Sequence, residues 1–170
     1  MRMKRVALVL AMVAIPMLAQ AGNFEITVER KKEGVGAPKG AVEQKISQKW
    51  TGEVKIVNRA FKPAPPLEAK YIVFVKRQQL GQKQNSDHIE KIKGAAKVSA
   101  LKAGENTKIL TSDVELHHQR LAAGWSYANG GSAIADDTVV GVWLRLFDGT
   151  TQVAEYMNPT SLMAKYKWEQ

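Results

Sequence analysis

The sequence predicts an all-β chain: an immunoglobulin-like antiparallel β-sandwich of about seven or eight strands, with room for one short helix at the C-terminal end. Three observations predict it. Apolar and polar residues alternate along short runs, the pattern of half-buried strands. Clusters of Gly, Pro, Asn and Asp separate those runs. No convincing long helix, internal repeat or heptad pattern interrupts them.

The first segment is a processing signal. MRMKR is basic, Val6–Leu18 is apolar, and Ala19-Gln20-Ala21 is a small-residue cleavage site. The apolar run is shorter than the ~20 residues a membrane-spanning helix needs. Residues 1–21 are therefore expected to direct export and to be cleaved, leaving no transmembrane segment. The expected location is the periplasm, the outer membrane or the cell surface of a bacterium. The chain has no Cys, which excludes disulfides, thiol catalysis and lipidation at a new N-terminal Cys. Removing 21 of 170 residues, three of them basic (Arg2, Lys4, Arg5), leaves 149, with 22 basic against 16 acidic side chains, a net charge of +6. That is one domain, residues 22–158, and a basic one. Anionic envelope partners, such as acidic glycans, fit it; export argues against nucleic acid.

Phe24–Lys32 alternates Phe24, Ile26 and Val28 against Glu25, Thr27 and Glu29, a half-buried strand. EGVGAPKG follows as a loop. In KISQKWTGEVKIVN, Trp50, Gly52, Val54 and Ile56 share one face, a second strand ending near Asn58. Pro63–Pro66 lies outside any strand interior, because proline cannot donate to a sheet ladder. The segment reads as a short stiff crossing between consecutive strands, not a domain linker, because Gly22–Asn58 is too short to bury a core. LEAKYIVFVK is the next strand, with Tyr71, Val73 and Val75 opposite Ile72 and Phe74. RQQLGQKQNSD is a turn, and HIEKIKGAAKVSAL is a weaker strand whose lysines suit a protected edge. KILTSDVEL reads as one strand, and a short strand is expected around Leu121–Tyr127. VVGVWLRLF is the most apolar strand, turned at Asp148-Gly149 into QVAEYM. Thr160 or Ser161 can cap a short helix in the segment 159–170, which is expected to pack on the sandwich.

The strand ending at Asn58, the Phe61-Lys62-Pro63 crossing, LEAKYIVFVK, VSALKAGENTKILTS and VGVWLRLFDGTTQVAEYMNP resemble successive parts of immunoglobulin-like domains in exported bacterial and archaeal proteins. Over most of residues 24–158 the chain resembles small secreted immunoglobulin-like proteins associated with type IV pilus machinery in gut bacteria. Their nearest fold analogy is the head of archaeal type IV pilins. The resemblance implies a non-enzymatic envelope or surface module whose partners are pilus or secretion proteins, or further copies of itself. It supplies no catalytic residues. A pilin retains a long apolar N-terminal helix, and this chain's cleavable signal departs from that.

Candidate sites are few. His117-His118 invites a metal reading, but neighbours on a strand point to opposite faces, and a solvated strand end is the simpler reading. Asp136-Asp137 with Asp148 lacks the repeated spacing of a calcium loop. Ser132 is not in a G-x-S-x-G context. No catalytic residue, metal site or cofactor is expected. Trp125 and Tyr127, flanked by small residues, are candidates for a sugar-stacking or partner-anchoring surface, the alternative being packing at the core rim. A glycan-binding module is accordingly the alternative function. Phe74 and Trp143 are further binding candidates, because both faces of their strands are largely apolar and something must cover the outer one: the C-terminal segment (Leu162, Met163, Tyr166, Trp168) or another subunit. Arg30, Lys31, Lys32, Lys91 and Lys93 form a candidate basic edge, the alternative being solvated edges protected against aggregation.

Overall fold

The structure, a computed structural model, describes residues 23–35, 42–82 and 88–169. The expected signal at 1–21, most of the loop after the first strand and the 83–87 part of the next turn region lie outside the described residues. So does the side chain of Lys32.

Among the described residues nine strands form two antiparallel sheets, with a single helical turn near the C-terminal end. The first sheet contains β1 (Phe24–Val35), β2 (Glu43–Asn58), β5 (Asn106–Leu110), β6 (Val114–Leu121) and β7 (Ile134–Asp136). The second contains β3 (Leu67–Arg77), β4 (His88–Val98), β8 (Thr138–Asp148) and β9 (Thr151–Asn158). Its strand order is β4-β3-β8-β9, and the first sheet runs β1-β2-β6-β7 with β5 also on β2. The crossing at Pro63–Pro66 carries the chain from one sheet to the other.

Local chemistry explains the register. Trp50, Val54 and Ile56 of β2 are buried and face the second sheet's Tyr71, Val73, Val75, Leu144 and Leu146. Ile26 of β1 pairs with Ile56 and Val28 with Val54, which continues the apolar stripe across the sheet. At β4, Gly94 is opposite Tyr71, and a Cβ there would come within 2.4 Å of the Tyr71 ring and hydroxyl. Gly149, at φ 56°, closes the β8–β9 turn in a conformation other L-residues resist.

Two expectations are corrected, and β8 departs from strict alternation. KILTSDVEL is not one strand: it splits into β5 and β6, which pair with opposite halves of β2. Between them, Thr111 Oγ1 accepts from Gly52 N at 2.8 Å, and Thr51 Oγ1 donates to Asp113 at 2.6 Å. Side-chain bonds to the neighbouring strand thus replace the ladder at the break. No strand runs over Leu121–Tyr127. β6 stops at Leu121, and Trp125 N donates to Ala122 O in a turn, with Gly124 at φ 87°. Finally, the two faces of β8 do not alternate throughout. The β3–β8 register slips between Phe74 and Val75, leaving Val140 as the extra residue. Val139 therefore packs with the main core, and Val140 packs with the outer cluster.

The outer face of the second sheet is covered by the chain's own C-terminal segment. Ile72, Phe74 and Trp143 lie beneath Leu162, Tyr166 and Trp168. The Phe74 and Tyr166 rings are 5.0 Å apart, and Trp143 meets Trp168 edge-on at 5.3 Å. Arg145 stacks against both tryptophans and pairs with Glu155. α1 (Leu162–Lys165) provides the bend that brings Tyr166 and Trp168 back over the sheet.

Candidate functional site

The Pro63–Pro66 crossing is held by a buried amide. Asn58, at the end of β2, has no exposed surface. Its Nδ2 donates to the carbonyls of Lys62 (3.0 Å), Lys102 (3.1 Å) and Leu101 (3.3 Å), and its Oδ1 accepts from Ala60 N. Ala64 and Leu101 exchange backbone hydrogen bonds in both directions, and Arg59 N donates to Asn23 O. The crossing is therefore tied at 58, 59, 60, 62 and 64. Pro63, Pro65 and Pro66 stiffen it further, since each ring locks φ.

Phe61 sits in the middle of this tied segment with its ring wholly in solvent, at 104% relative exposure. Residues that pin their neighbours leave Phe61 itself without packing. A stiff backbone presenting a free aromatic ring loses little conformational entropy on contact, which suits a binding anchor. Beside it a cleft of about 590 Å³ is lined by Asn23, Phe24, Lys62, Pro63, Asp148 and Gln152, among others. Sequence reasoning used Phe61 only as a mark of the fold. Its signal was available: a large apolar residue directly before Lys-Pro, outside both alternating runs.

The residues singled out from sequence are dispersed. Trp125 is 59% exposed on the β6–β7 loop. Tyr127 is half-buried: its ring lies close against Gly81 and its hydroxyl donates to Glu43 at 2.9 Å. Burial and then that bond raise the Tyr127 pKa. The two rings are thus differently engaged and do not form a matched platform. Phe74, with no exposure, and Trp143, at 4%, lie under the tail, so neither offers a surface while it is in place. Trp143 Nε1 donates to Glu155 at 2.8 Å.

The lysines and arginine of the proposed basic edge occupy two edges rather than one. Arg30 and Lys31 are on β1, which abuts β9, whereas Lys91 and Lys93 are on β4, which abuts β5. The two edges bound opposite sides of the sandwich. Lys91 also reaches Glu169 and lies over the Tyr166 ring, which ties it to the tail.

His117 and His118 go separate ways. His117 Nδ1 is 3.3 Å from Ser47 Oγ, and His118 is within 3.1 Å of Asp136 and 3.3 Å of Gln48. Asp137 is buried and used structurally. It accepts from Arg77 at 2.8 Å and from the backbone of Gln78 and His117. Asp148 lies at the far end of β8 from Asp137. Among the described residues no group of three or more His, Cys, Asp or Glu is placed to hold a metal ion.

No family model matches the chain, and no curated protein matches it. Solved structures give weak likenesses. A target of the Northeast Structural Genomics Consortium shares 6% identity at a TM-score of 0.37, over 87% of this chain and 96% of that one. A protein of Akkermansia muciniphila shares 11% identity at 0.31, over 85% and 78%. The β-glucuronidase of Bacteroides uniformis shares 12% identity at 0.31, over 78% of this chain but 12% of the enzyme. At such scores these likenesses transfer nothing to this chain. Among the described residues, no helix is long and apolar enough to cross a membrane.

Proposed function

We infer that this chain is an exported, non-enzymatic interaction module of the bacterial cell envelope, and that it engages a protein partner through the end of the sandwich that carries Phe61. One observation carries the reading: a fully exposed phenylalanine on a crossing whose backbone is fixed by buried Asn58. An aromatic anchor of this kind, once desolvated, supplies a disproportionate share of binding energy. The finer assignment, to type IV pilus or secretion machinery or to further copies of the chain, is what the sequence resemblance implies. The export signal at 1–21 supports the location.

Cross-linking of tagged protein in its native cells tests this, with mass spectrometry of the captured proteins. Recovery of pilus or secretion proteins, or of further copies, lost with Phe61→Ser in a chain of unchanged melting temperature, is the expected result. Capture that is indifferent to Phe61→Ser refutes the contact. A second reading, glycan binding, is favoured by the exposure of Trp125 on its loop. It requires that Trp125→Ala abolish retention on acidic or mucin-type polysaccharide while the fold persists.

A further inference from the structure

β1 is an edge strand. Among the described residues it bonds to β2 alone; β9 abuts it from the other sheet without sharing a ladder. A long edge is a template for another strand, and charged side chains normally block that pairing. β4, the long edge of the second sheet, shows such a block. Its Lys91, Lys93 and Lys97 share one face of a regular strand. Antiparallel pairing of β4 with its own copy, centred anywhere from Ile92 to Ala95, sets lysine against lysine, which is unfavourable.

β1 is arranged differently. Its acids, Glu25 and Glu29, precede its bases, Arg30, Lys31 and Lys32. Glu25, Thr27, Glu29 and Lys31 are exposed on the outer face of the sheet, while Ile26 and Val28 pack with the core. Two identical strands paired antiparallel are related by a two-fold axis normal to the sheet. That axis keeps the inward and outward faces aligned only if it passes through a residue position. Centred on Thr27, the pairing sets Glu25 against Glu29; centred on Glu29 or Arg30, it sets that residue against its own copy. Centred on Val28, it sets Glu25 of each copy against Lys31 of the other, and Val28 against Val28.

The backbone selects the same centre. The β1–β2 ladder is regular over the nine residues Phe24–Lys32 and shifts register after Lys32. Val28 is the midpoint of that stretch, so the register that matches the charges also pairs the whole regular strand. Each of the two charges has a neighbour in its own copy: Arg59 donates to Glu25, and Lys31 acts on Asp113. Neither contact exhausts its group, since a carboxylate accepts several hydrogen bonds and an ammonium donates several.

We propose that the edge of β1 is the docking surface for β1 of a second copy, antiparallel and centred on Val28, so that the two first sheets join into one. Main-chain hydrogen bonds supply the affinity. The Glu25–Lys31 pair, present twice by symmetry, supplies the register. The contact does not depend on Phe61 and stands whether or not the reading above does.

Analytical ultracentrifugation of the protein purified from its native cells tests this, at about 0.15 M salt, where the overall positive charge is largely screened. A monomer–dimer equilibrium with a Kd of roughly 10–500 µM is expected. Glu25→Lys and Lys31→Glu each set like charges across both pairs, and each alone should weaken the dimer by about tenfold. Both positions are exposed, so the fold should persist. Mixed in equal amounts, the two variants offer each other opposite charges at both pairs, and the mixture should dimerise about as tightly as the native chain. Phe61→Ser should leave the equilibrium unchanged. A protein that stays monomeric up to about 1 mM overturns the proposal. So does a dimer that neither charge reversal weakens, a mixture no tighter than either variant alone, or a dimer lost with Phe61→Ser, which would assign self-association to the other contact.

Discussion

Arg77 and Asp137 join the two sheets at one end of the sandwich: the guanidinium on β3 donates to the buried carboxylate at 2.8 Å. Arg77 also bonds Glu90 on β4 and the Glu115 carbonyl on β6, so one side chain on β3 reaches two other strands and the residue between β7 and β8. Burial opposes its charge, but the bonds to Glu90 and Asp137 prevail and raise its pKa. Removing one member of such a pair leaves a buried charge or donor uncompensated. Asp137→Ala is expected to cost about 2–4 kcal/mol, somewhat under the fully buried range because Arg77 is 25% exposed. Urea denaturation measures it; a cost below about 0.5 kcal/mol would remove the staple's role.

Asn58→Ala deletes an amide that serves three carbonyls and one N–H in a buried setting. The expected loss is roughly 2–3 kcal/mol. Asn58→Asp, which keeps the acceptor for Ala60 N but replaces the donor with a charge, is expected to be no better. Phe61→Ser, three residues away, is expected to change stability by less than about 0.5 kcal/mol, because the ring packs against nothing. Paired melting curves of the three variants separate the support of the crossing from its exposed anchor.

Trp168 contributes packing at the cost of one orphaned donor. Its Nε1 is buried without a partner among the described residues, while its ring meets Trp143 and Arg145. Trp168→Ala is expected to destabilise by about 2–3 kcal/mol and to raise binding of an apolar dye as Trp143 is uncovered. Trp168→Phe should be much milder, since it retains a ring and removes the unsatisfied N–H. Equal effects of the two substitutions would show that the tail's ring packing contributes little.

Asp113 gives a pH signature. Bonds from Lys49 and then Thr51 hold its carboxyl below the usual carboxylate range in the folded chain. A depressed folded-state pKa means a contribution present above the unfolded value and lost as pH falls through the folded one. The melting-temperature advantage of the native chain over Asp113→Asn should therefore hold near pH 7 and shrink as pH falls below about 4. An advantage that does not change down to about pH 2 would rule out this linkage.

Much of the fold was legible because strand formation is a local pattern. Alternation placed β1, β2 and β3 and the inward faces of Trp50, Val54, Ile56, Tyr71, Val73 and Val75. The Asp148-Gly149 turn and the proline crossing were readable from the chemistry of single residues. The breaks were not. The gap between β5 and β6 depends on Thr111 and Asp113 meeting Gly52 and Thr51, more than fifty residues away. The bulge at Val140 exists only in the pairing of β8 with β3, and it moves Val139 to the core against simple alternation.

By itself the sequence determined an all-β chain, the absence of Cys and a surplus of apolar surface on β3 and β8. Only the tertiary structure decided what that surplus meets. Ile72, Phe74 and Trp143 are closed over by Leu162, Tyr166 and Trp168, so two expected binding residues became interior. Phe61 became the exposed ring. The physical reason is that alternation specifies which side of a strand a residue takes. Whether that side is solvent, core or cavity depends on segments far away in the chain, and their packing is a sum of contacts that no local pattern contains.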